Sequence, residues 1–440
     1  MSEEIKRNHN NIPLIESEIG VLKAIERMLQ ENGSLHEDEV ISVVPKDEIK
    51  RNARNIGFSI ENNTIVALSL RYCALTSLPD ALGQLQNLRY LDVTENRLTS
   101  LPESLGNLHH LEKLSLDGNR LTLLPASLGD MWHLAELHVD KNQLSFLPES
   151  IYQLTNLKVL NAYSNRLTSL PMSLGQLTRL TEISVGKNQL TSLPESFWQL
   201  QNLQILNVAE NQLSSLSERI ENFTHLHTLD VGHNELTALP ESLGNLSNLT
   251  FFLYLSNNYL TALPDSLTHL THLRYLNITD NALTALPEGI GDLIHLKELR
   301  AYNNALTALP ESLGSLSNLQ ELYVMNNQLV TLPSSLGSLT QLKELHMMNN
   351  RLMALPESLG NLIHLTQLDV RNNRLMALPE SLGKLAHLTH LDLRGNKLVA
   401  VPASLQDLPS LEKVDLRWNK IPTFPEWLQR LEQQGCTVYR

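Results

Sequence analysis

Residues 355–377 read LPESLGNLIHLTQLDVRNNRLMA, and residues 378–400 read LPESLGKLAHLTHLDLRGNKLVA. The shared skeleton is L-x-x-L-x-L-x-x-N-x-L, then two variable residues, then L-P-x-x-L-G-x-L. Working outward from this pair, its asparagine recurs at Asn96, Asn119, Asn142, Asn165, Asn188, Asn211, Asn234, Asn258, Asn281, Asn304, Asn327, Asn350, Asn373, Asn396 and Asn419. Cys73 takes the same place in a degenerate first copy, IVALSLRYCAL, which makes sixteen units. Every step is 23 residues except 234 to 258, which is 24. A fixed period of this length marks a stacked array, in which each unit buries its apolar face against its neighbours.

The residue types explain the unit. The L-x-L alternation at 368–370 gives a short strand with one apolar face. A turn and a crossover follow each strand, so successive strands stack in parallel. The asparagine amide can reach backbone groups that a buried bend leaves unpaired. Stacked at about 4.8 Å, these amides should form a buried ladder. Cys73 donates only weakly, which predicts a looser first turn. Proline presets φ near the start of an outer element, and glycine lets the chain turn back. The crossover is too short for long helices, so short helical or 3-10 turns are expected.

This spacing resembles the leucine-rich repeat, from about residue 58 to the C-terminus. The resemblance implies an α/β solenoid shaped as a horseshoe, with a parallel inner sheet, short helical or 3-10 outer turns, about sixteen repeats and two caps. The 23-residue unit is similar to the intracellular class in plant Ras-group-related repeat proteins, in Ras-pathway scaffolds and beside the GTPase of Roco proteins. In those families the repeats bind other proteins, so the resemblance implies a protein partner, with an adaptor for a small-GTPase pathway as an alternative. Which partner does not carry over, because the residues facing it vary between relatives.

The remaining sequence divides into caps. Residues 1–57 are not repeat. In 16–30, Ile19, Leu22, Ile25 and Leu29 fall near one helical face, and Asn32-Gly33 is a stop signal. An apolar run occupies 40–44 of a charged stretch. A hairpin is expected at 58–70, turning at Asn62-Asn63, whose residue type tolerates positive φ. Its first arm would cover the open edge of the sheet, where unpaired backbone groups would otherwise be exposed. This head resembles the caps of some archaeal leucine-rich repeat proteins. Residues 58–425 are then the solenoid, and 426–440 (EWLQRLEQQGCTVYR) a closing helix and strand, with Trp427, Leu428 and Leu431 over the last apolar layer. Two irregularities stand close together: Ser217 replaces the usual proline, and one extra residue precedes the strand at 250–253. The insertion is expected to bulge that strand or to displace the sheet locally.

The formal net charge of −13 argues against general affinity for nucleic acid or anionic membrane. It favours a basic protein partner. The two cysteines, Cys73 and Cys436, lie at opposite ends, too far apart to bridge. Neither an apolar leader nor a membrane-length run is visible. Together these suggest a reducing, cytoplasmic setting and a monomer.

No catalytic constellation stands out. There is no G-x-x-x-x-G-K-[ST], H-E-x-x-H or C-x-x-C. An enzyme is therefore not expected, and neither is a cofactor or a metal. His110, His133, His225, His272, His295, His364 and His387 share one repeat position with Asn87, Asn156, Asn202, Asn248 and Asn318. A place open to both His and Asn asks for a hydrogen-bonding side chain more than for a metal ligand.

The expected function is therefore a non-catalytic protein-interaction scaffold that binds its partner on the concave face. There the outward positions carry Tyr254, Tyr275, Arg300, Tyr302, Tyr323, Met325, His346 and Met348, with Trp418 further on. Aromatic residues, Met and Arg are the types enriched at interface centres. Beside them runs a like-charged column, Glu298, Glu321 and Glu344, with Lys297, Arg300 and Lys343 near enough in sequence to relieve it. That column supports the alternative of an acidic inhibitor wrapping a basic enzyme. Asp369/Arg371, Asp392/Arg394 and Asp415/Arg417 repeat at two fixed positions and predict ion pairs within the sheet.

Overall fold

Most repeats place one leucine at the centre of a three-residue strand, with Ile183 and Val414 taking its place in two of them, and these side chains face inward and are almost fully buried. The computed structural model describes residues 5–9, 12–50 and 55–440; the end of the charged stretch, 51–54, falls outside that range. The chain divides into two units, Met1–Leu213 and Ser214–Arg440.

The first unit opens with an antiparallel pair, β1 (Ile5–His9) and β2 (Ile12–Ile15), in which Ile5 lies opposite Ile15. This pair was not foreseen from the sequence. Helix α1 (Glu16–Glu31) follows at once and buries Ile19, Val21, Leu22, Ile25 and Leu29. Two carboxylates on the same helix are also buried. Glu18 Oε2 accepts the Ile65 N–H at 2.9 Å, and Glu26 Oε1 accepts the Ile41 N–H at 2.8 Å. Charge-assisted bonds of this kind fix the helix against the first repeat through Glu18 and against the loop at residue 41 through Glu26.

After a short α2 (Lys46–Lys50), β3 (Ile56–Glu61) and β4 (Thr64–Leu70) form the antiparallel hairpin. Both turn residues are left-handed, Asn62 at φ 51° and Asn63 at φ 64°. The apolar run at 40–44 lies along the outer edge of β3. There the Val44 N–H donates to the Phe58 carbonyl and the Phe58 N–H to the Ser42 carbonyl, at 2.8 and 3.0 Å. The first turn is not loose. Cys73 is fully buried, and its carbonyl accepts Asn32 Nδ2 at 2.8 Å and the Ser34 hydroxyl at 2.7 Å. The end of α1 thus holds the carbonyl of this turn, while Asn96 Nδ2 donates to the Leu70 carbonyl at 2.7 Å and Cys73 Sγ lies 3.3 Å from the Arg71 carbonyl.

From β4 onward the strands are parallel and in register: β5 (Tyr90–Asp92), β6 (Lys113–Ser115), β7 (Glu136–His138), β8 (Val159–Asn161), β9 (Glu182–Ser184) and β10 (Ile205–Asn207). The second unit continues the pattern with β11 (Thr228–Asp230), β12 (Phe252–Tyr254), β13 (Tyr275–Asn277), β14 (Glu298–Arg300), β15 (Glu321–Tyr323), β16 (Glu344–His346), β17 (Gln367–Asp369), β18 (His390–Asp392), β19 (Lys413–Asp415) and β20 (Thr437–Tyr439). Each strand from β11 to β20 pairs in parallel with the next. Sixteen strands, β4 to β19, carry the sixteen repeats. Helix α3 (Trp427–Gln433) buries Trp427, Leu428 and Leu431 over the last repeat and ends before Gly435, at φ 99°. Among the described residues no helix is long and apolar enough to cross a membrane.

The extra residue does not bulge a strand. Thr228, Leu229 and Asp230 pair with Phe252, Leu253 and Tyr254 in unbroken register. Leu249 stays buried, and the Phe251 N–H donates to the His227 carbonyl at 3.0 Å. The insertion is taken up in the loop before β12, which lies outside the ladder. Ser217 is equally silent: at φ −74° and ψ 147° it keeps the extended geometry of the prolines elsewhere, and its hydroxyl accepts the Arg219 N–H.

All fifteen outer turns between repeats are 3-10. Proline sits one residue before the turn; Pro333, at φ −66° and ψ 145°, is typical. The recurrent glycine has a different role from the one expected. Gly337 is not left-handed. A Cβ there would overlap the Ser358 carbonyl oxygen of the next turn and lie 2.6 Å from the Ser358 Cβ. Close approach of stacked turns, not freedom of φ, requires it.

Candidate functional site

The ladder asparagines hold the sheet that presents the candidate surface. Asn327 is typical. Its Oδ1 accepts the Leu306 N–H at 3.0 Å, and its Nδ2 donates to the Ala301 and Val324 carbonyls at 2.9 and 3.1 Å. Each amide therefore ties one repeat to the one before it. Asn281, Asn304 and Asn419 make the same bonds but are partly exposed. The residue just before each ladder asparagine, from Glu95 to Trp418, is left-handed.

On β12 to β16, side chains flanking the buried leucines lie half-exposed on the open face of the sheet. They form one continuous contact series. Tyr254 meets Phe252 at 5.7 Å and Tyr275 at 5.0 Å between ring centroids. The Arg300 guanidinium lies 5.6 Å from the Tyr275 ring and 5.3 Å from the Tyr323 ring, within cation–π range. Tyr323 stacks on His346 at 4.8 Å, with the planes 7° apart. The sequence thus identified Tyr254, Tyr275, Arg300, Tyr323 and His346, and the fold brings them into contact. Tyr302, Met325 and Met348 form the adjacent half-buried column. Met348 is engaged by the Arg371 guanidinium, 2.8 Å from Nη2 to Sδ. Trp418 lies apart from this series, 71% exposed, with the Arg417 guanidinium 5.5 Å from its ring.

Two aromatic residues escaped the sequence reading. Phe252 is the first residue of β12, and Phe251 packs edge-on against His227 at 5.0 Å with Arg274 above it. The adjacent pair Phe251-Phe252, next to the one irregular spacing, was the available signal. Burial, then the Glu321 and Glu344 carboxylates at 2.8 and 3.0 Å, push the Tyr323 hydroxyl far above the usual phenol range. Burial pushes Tyr275 up to about 12. Both are neutral hydroxyls at physiological pH.

Glu298, Glu321 and Glu344 lie directly opposite one another on β14, β15 and β16. Their repulsion is relieved from within the face. Arg300 Nε pairs with Glu298 at 2.5 Å, Tyr323 bridges Glu321 and Glu344, and His346 Nε2 lies 3.1 Å from Glu344. Lys343 bonds Gln320 instead. Further along, the Asp/Arg pairs form a staggered network. Arg371 spans Asp369 and Asp392, Arg394 spans Asp392 and Asp415, and Arg417 closes on Asp415 at 2.6 Å. These aspartates line a cavity of about 150 Å³ together with His346, His390 and Lys413.

The open face of the first unit is acidic. The Tyr163 N–H donates to Asp140 Oδ1, and the Asp140 N–H to Asp117 Oδ1, each at 2.7 Å. Burial, then the nearby Asp117, raise Asp140 from an ordinary 3.8 to about 6. The folded state therefore binds this proton more tightly than the unfolded chain. Its contribution is most favourable below about 3.8 and is lost as pH rises through about 6. Asp140→Asn, which can still accept the Tyr163 N–H, should melt higher than wild type at pH 7.5, and the gap should close by pH 4. A gap that does not change with pH would remove the role assigned to this carboxyl.

The shared His/Asn position does form hydrogen bonds. Asn156 Nδ2 donates to the Trp132 carbonyl at 2.7 Å, and Asn318 Nδ2 to the Ile294 carbonyl at 2.7 Å. His133 Nδ1 lies 2.8 Å from the His109 carbonyl, and His295 Nδ1 lies 2.9 Å from the Thr271 carbonyl. Among the described residues, no group of three or more His, Cys, Asp or Glu side chains is placed to hold a metal ion.

Comparison with known proteins agrees with this geometry. The family model of the leucine-rich repeat region matches residues 64–186, 261–353 and 334–434, and a second leucine-rich repeat model matches 163–213 and 178–236. A leucine-rich repeat protein of Leptospira interrogans is 33% identical, with a TM-score of 0.78 over 90% of this chain and 98% of its own. A TDR receptor is 29% identical, with a TM-score of 0.65 over 82% of this chain and 68% of that one. The functional domain of InlJ from Listeria monocytogenes, 22% identical, has a TM-score of 0.63 over 81% of this chain and 71% of that one, and shares the fold. No curated protein sequence matches the chain. The chain belongs to the leucine-rich repeat family.

Proposed function

We propose that this protein is a non-catalytic, cytoplasmic scaffold that binds a protein partner on the open face of β12 to β16. The observation that carries this reading is the contact series Phe252–Tyr254–Tyr275–Arg300–Tyr323–His346. These large side chains hold one another in place while still half-exposed, so a partner meets an ordered surface and loses little side-chain entropy on binding. Aromatic and Arg anchors of this kind carry most of the energy in protein interfaces.

The test is affinity capture from native cytosol, comparing wild type with the triple variant Tyr302→Ala, Tyr323→Ala, Met325→Ala. A protein retained by wild type and lost by the variant, with both melting alike, is the expected result. Equal capture by both would move the interface elsewhere. The register of Glu298, Glu321 and Glu344 favours a second reading, an inhibitor of a basic enzyme. Raising the salt from 0.05 to 0.5 M should abolish that mode and leave an aromatic-centred one nearly unchanged.

A further inference from the structure

A different surface of the second unit has an unusual composition. Three residues after the ladder asparagine, every unit up to Asn304 carries Thr or Ser. In the next four units that place holds Val330, Met353, Met376 and Val399, which are 40, 52, 64 and 59% exposed. Being one repeat apart in a stacked array, they make a single apolar stripe. Between this column and the ladder lies another, one residue after the asparagine. In its last four units it holds Arg351, Arg374, Lys397 and Lys420. All four are exposed, and no ion pair engages them among the described residues. On the other side of the ladder, Asn326, Asn349 and Asn372 form an exposed row of amides. Each is bonded to the asparagine of the previous repeat, at 2.6, 2.6 and 2.8 Å.

The segments that build this strip, 349–354, 372–377, 395–400 and 418–423, contain four cations and no acid. The whole chain carries −13. An unpaired positive column beside an apolar one selects its complement by charge and by burial. Methionine in two of the four apolar places suits a surface that adapts to its ligand. A chain this acidic would itself be repelled by an anionic bilayer, which favours a protein over a lipid surface.

We propose that this strip is a second docking site, for an acidic segment of a partner protein whose Asp or Glu side chains meet Arg351, Arg374, Lys397 and Lys420. Apolar residues of that segment cover Met353 and Met376. This site is independent of the aromatic face on β12 to β16.

The test uses the full chain and a fluorescein-labelled twelve-residue peptide of alternating Glu and Leu, with a Lys-for-Glu peptide as control. Two double variants restore residues that other units already use at these places: Met353→Thr/Met376→Thr and Arg374→Gln/Lys397→Gln. Wild type should bind the acidic peptide and not the basic one. Either variant should weaken binding at least tenfold with an unchanged melting temperature, and 0.3 M salt should weaken wild type further. Failure of the acidic peptide to bind at 1 mM would overturn the proposal, as would equal binding by the variants. Loss of phosphatidylserine-vesicle binding in the variants, with peptide binding unaffected, would assign the strip to a membrane instead. A concentration-dependent dimer abolished by either variant would assign it to a second copy of this chain.

Discussion

Asn327→Leu is expected to destabilise the protein by roughly 2–4 kcal/mol, because it strands one buried backbone N–H and takes a donor from two buried carbonyls. The Leu306 N–H loses its partner outright. The Ala301 and Val324 carbonyls each lose one of two amide donors, keeping Asn304 Nδ2 at 3.3 Å and Asn350 Nδ2 at 2.9 Å. Each unsatisfied buried group costs about 1–3 kcal/mol, and leucine returns only part of that as apolar burial. The position is 8% exposed, so water cannot readily substitute. In a stacked array the damage stays local before it becomes global. Hydrogen exchange should therefore accelerate first at the Leu306 amide and its neighbours, and the calorimetric transition should move down or split. An unchanged melting profile with an unchanged Leu306 exchange rate would refute the ladder as a source of stability.

Gly337→Ala is expected to cost about 1–3 kcal/mol, in the range of overpacked cores. The sign is what matters. At a glycine without left-handed φ and with open space around it, alanine stabilises by about 0.4–1 kcal/mol through the unfolded chain. Here the added methyl meets the Ser358 carbonyl, carbon and Cβ of the next turn. Those are backbone or near-backbone atoms that cannot swing aside as a long side chain would. The two turns can part only by straining the ladder that fixes both repeats from the other side. Gly20, in α1, has nothing within 4 Å of its missing Cβ and serves as the control. There alanine should be neutral or stabilising. A stabilised Gly337→Ala would show that the turns are less closely packed than their geometry indicates.

The surface proposed for the partner depends on contacts made between repeats. Tyr323 illustrates this. Its neighbours are Glu321 on the same strand, Glu344 and His346 one strand away, and the Arg300 guanidinium on the other side. Those residues are spread over 47 positions of sequence, from 300 to 346. A change at Arg300 would reach both Tyr275 and Tyr323, so single substitutions on this face should not add independently.

What the sequence determined is everything that repeats. Sixteen strands, the ladder asparagines, the fifteen outer turns, the hairpin turning on Asn62-Asn63 and the closing α3 and β20 follow from residue type at fixed spacing. Each such unit has only one way to bury its leucines, and a period of 23 forces like residues to stack. Tertiary structure decided whatever depends on distance between neighbours. It showed why Gly337 must be glycine, since only the next turn supplies the clash. It placed the extra residue in the loop before β12, because the ladder there resists disruption and the loop does not. It buried Glu18 and Glu26 under charge-assisted bonds to strand and loop N–H groups that no local pattern reveals. It satisfied the Cys73 carbonyl from Asn32 and Ser34, some forty residues away. It also joined Phe252 to the tyrosines. A periodic pattern specifies which side chains share a column; which of them touch, and through which atoms, is fixed only when the columns are packed.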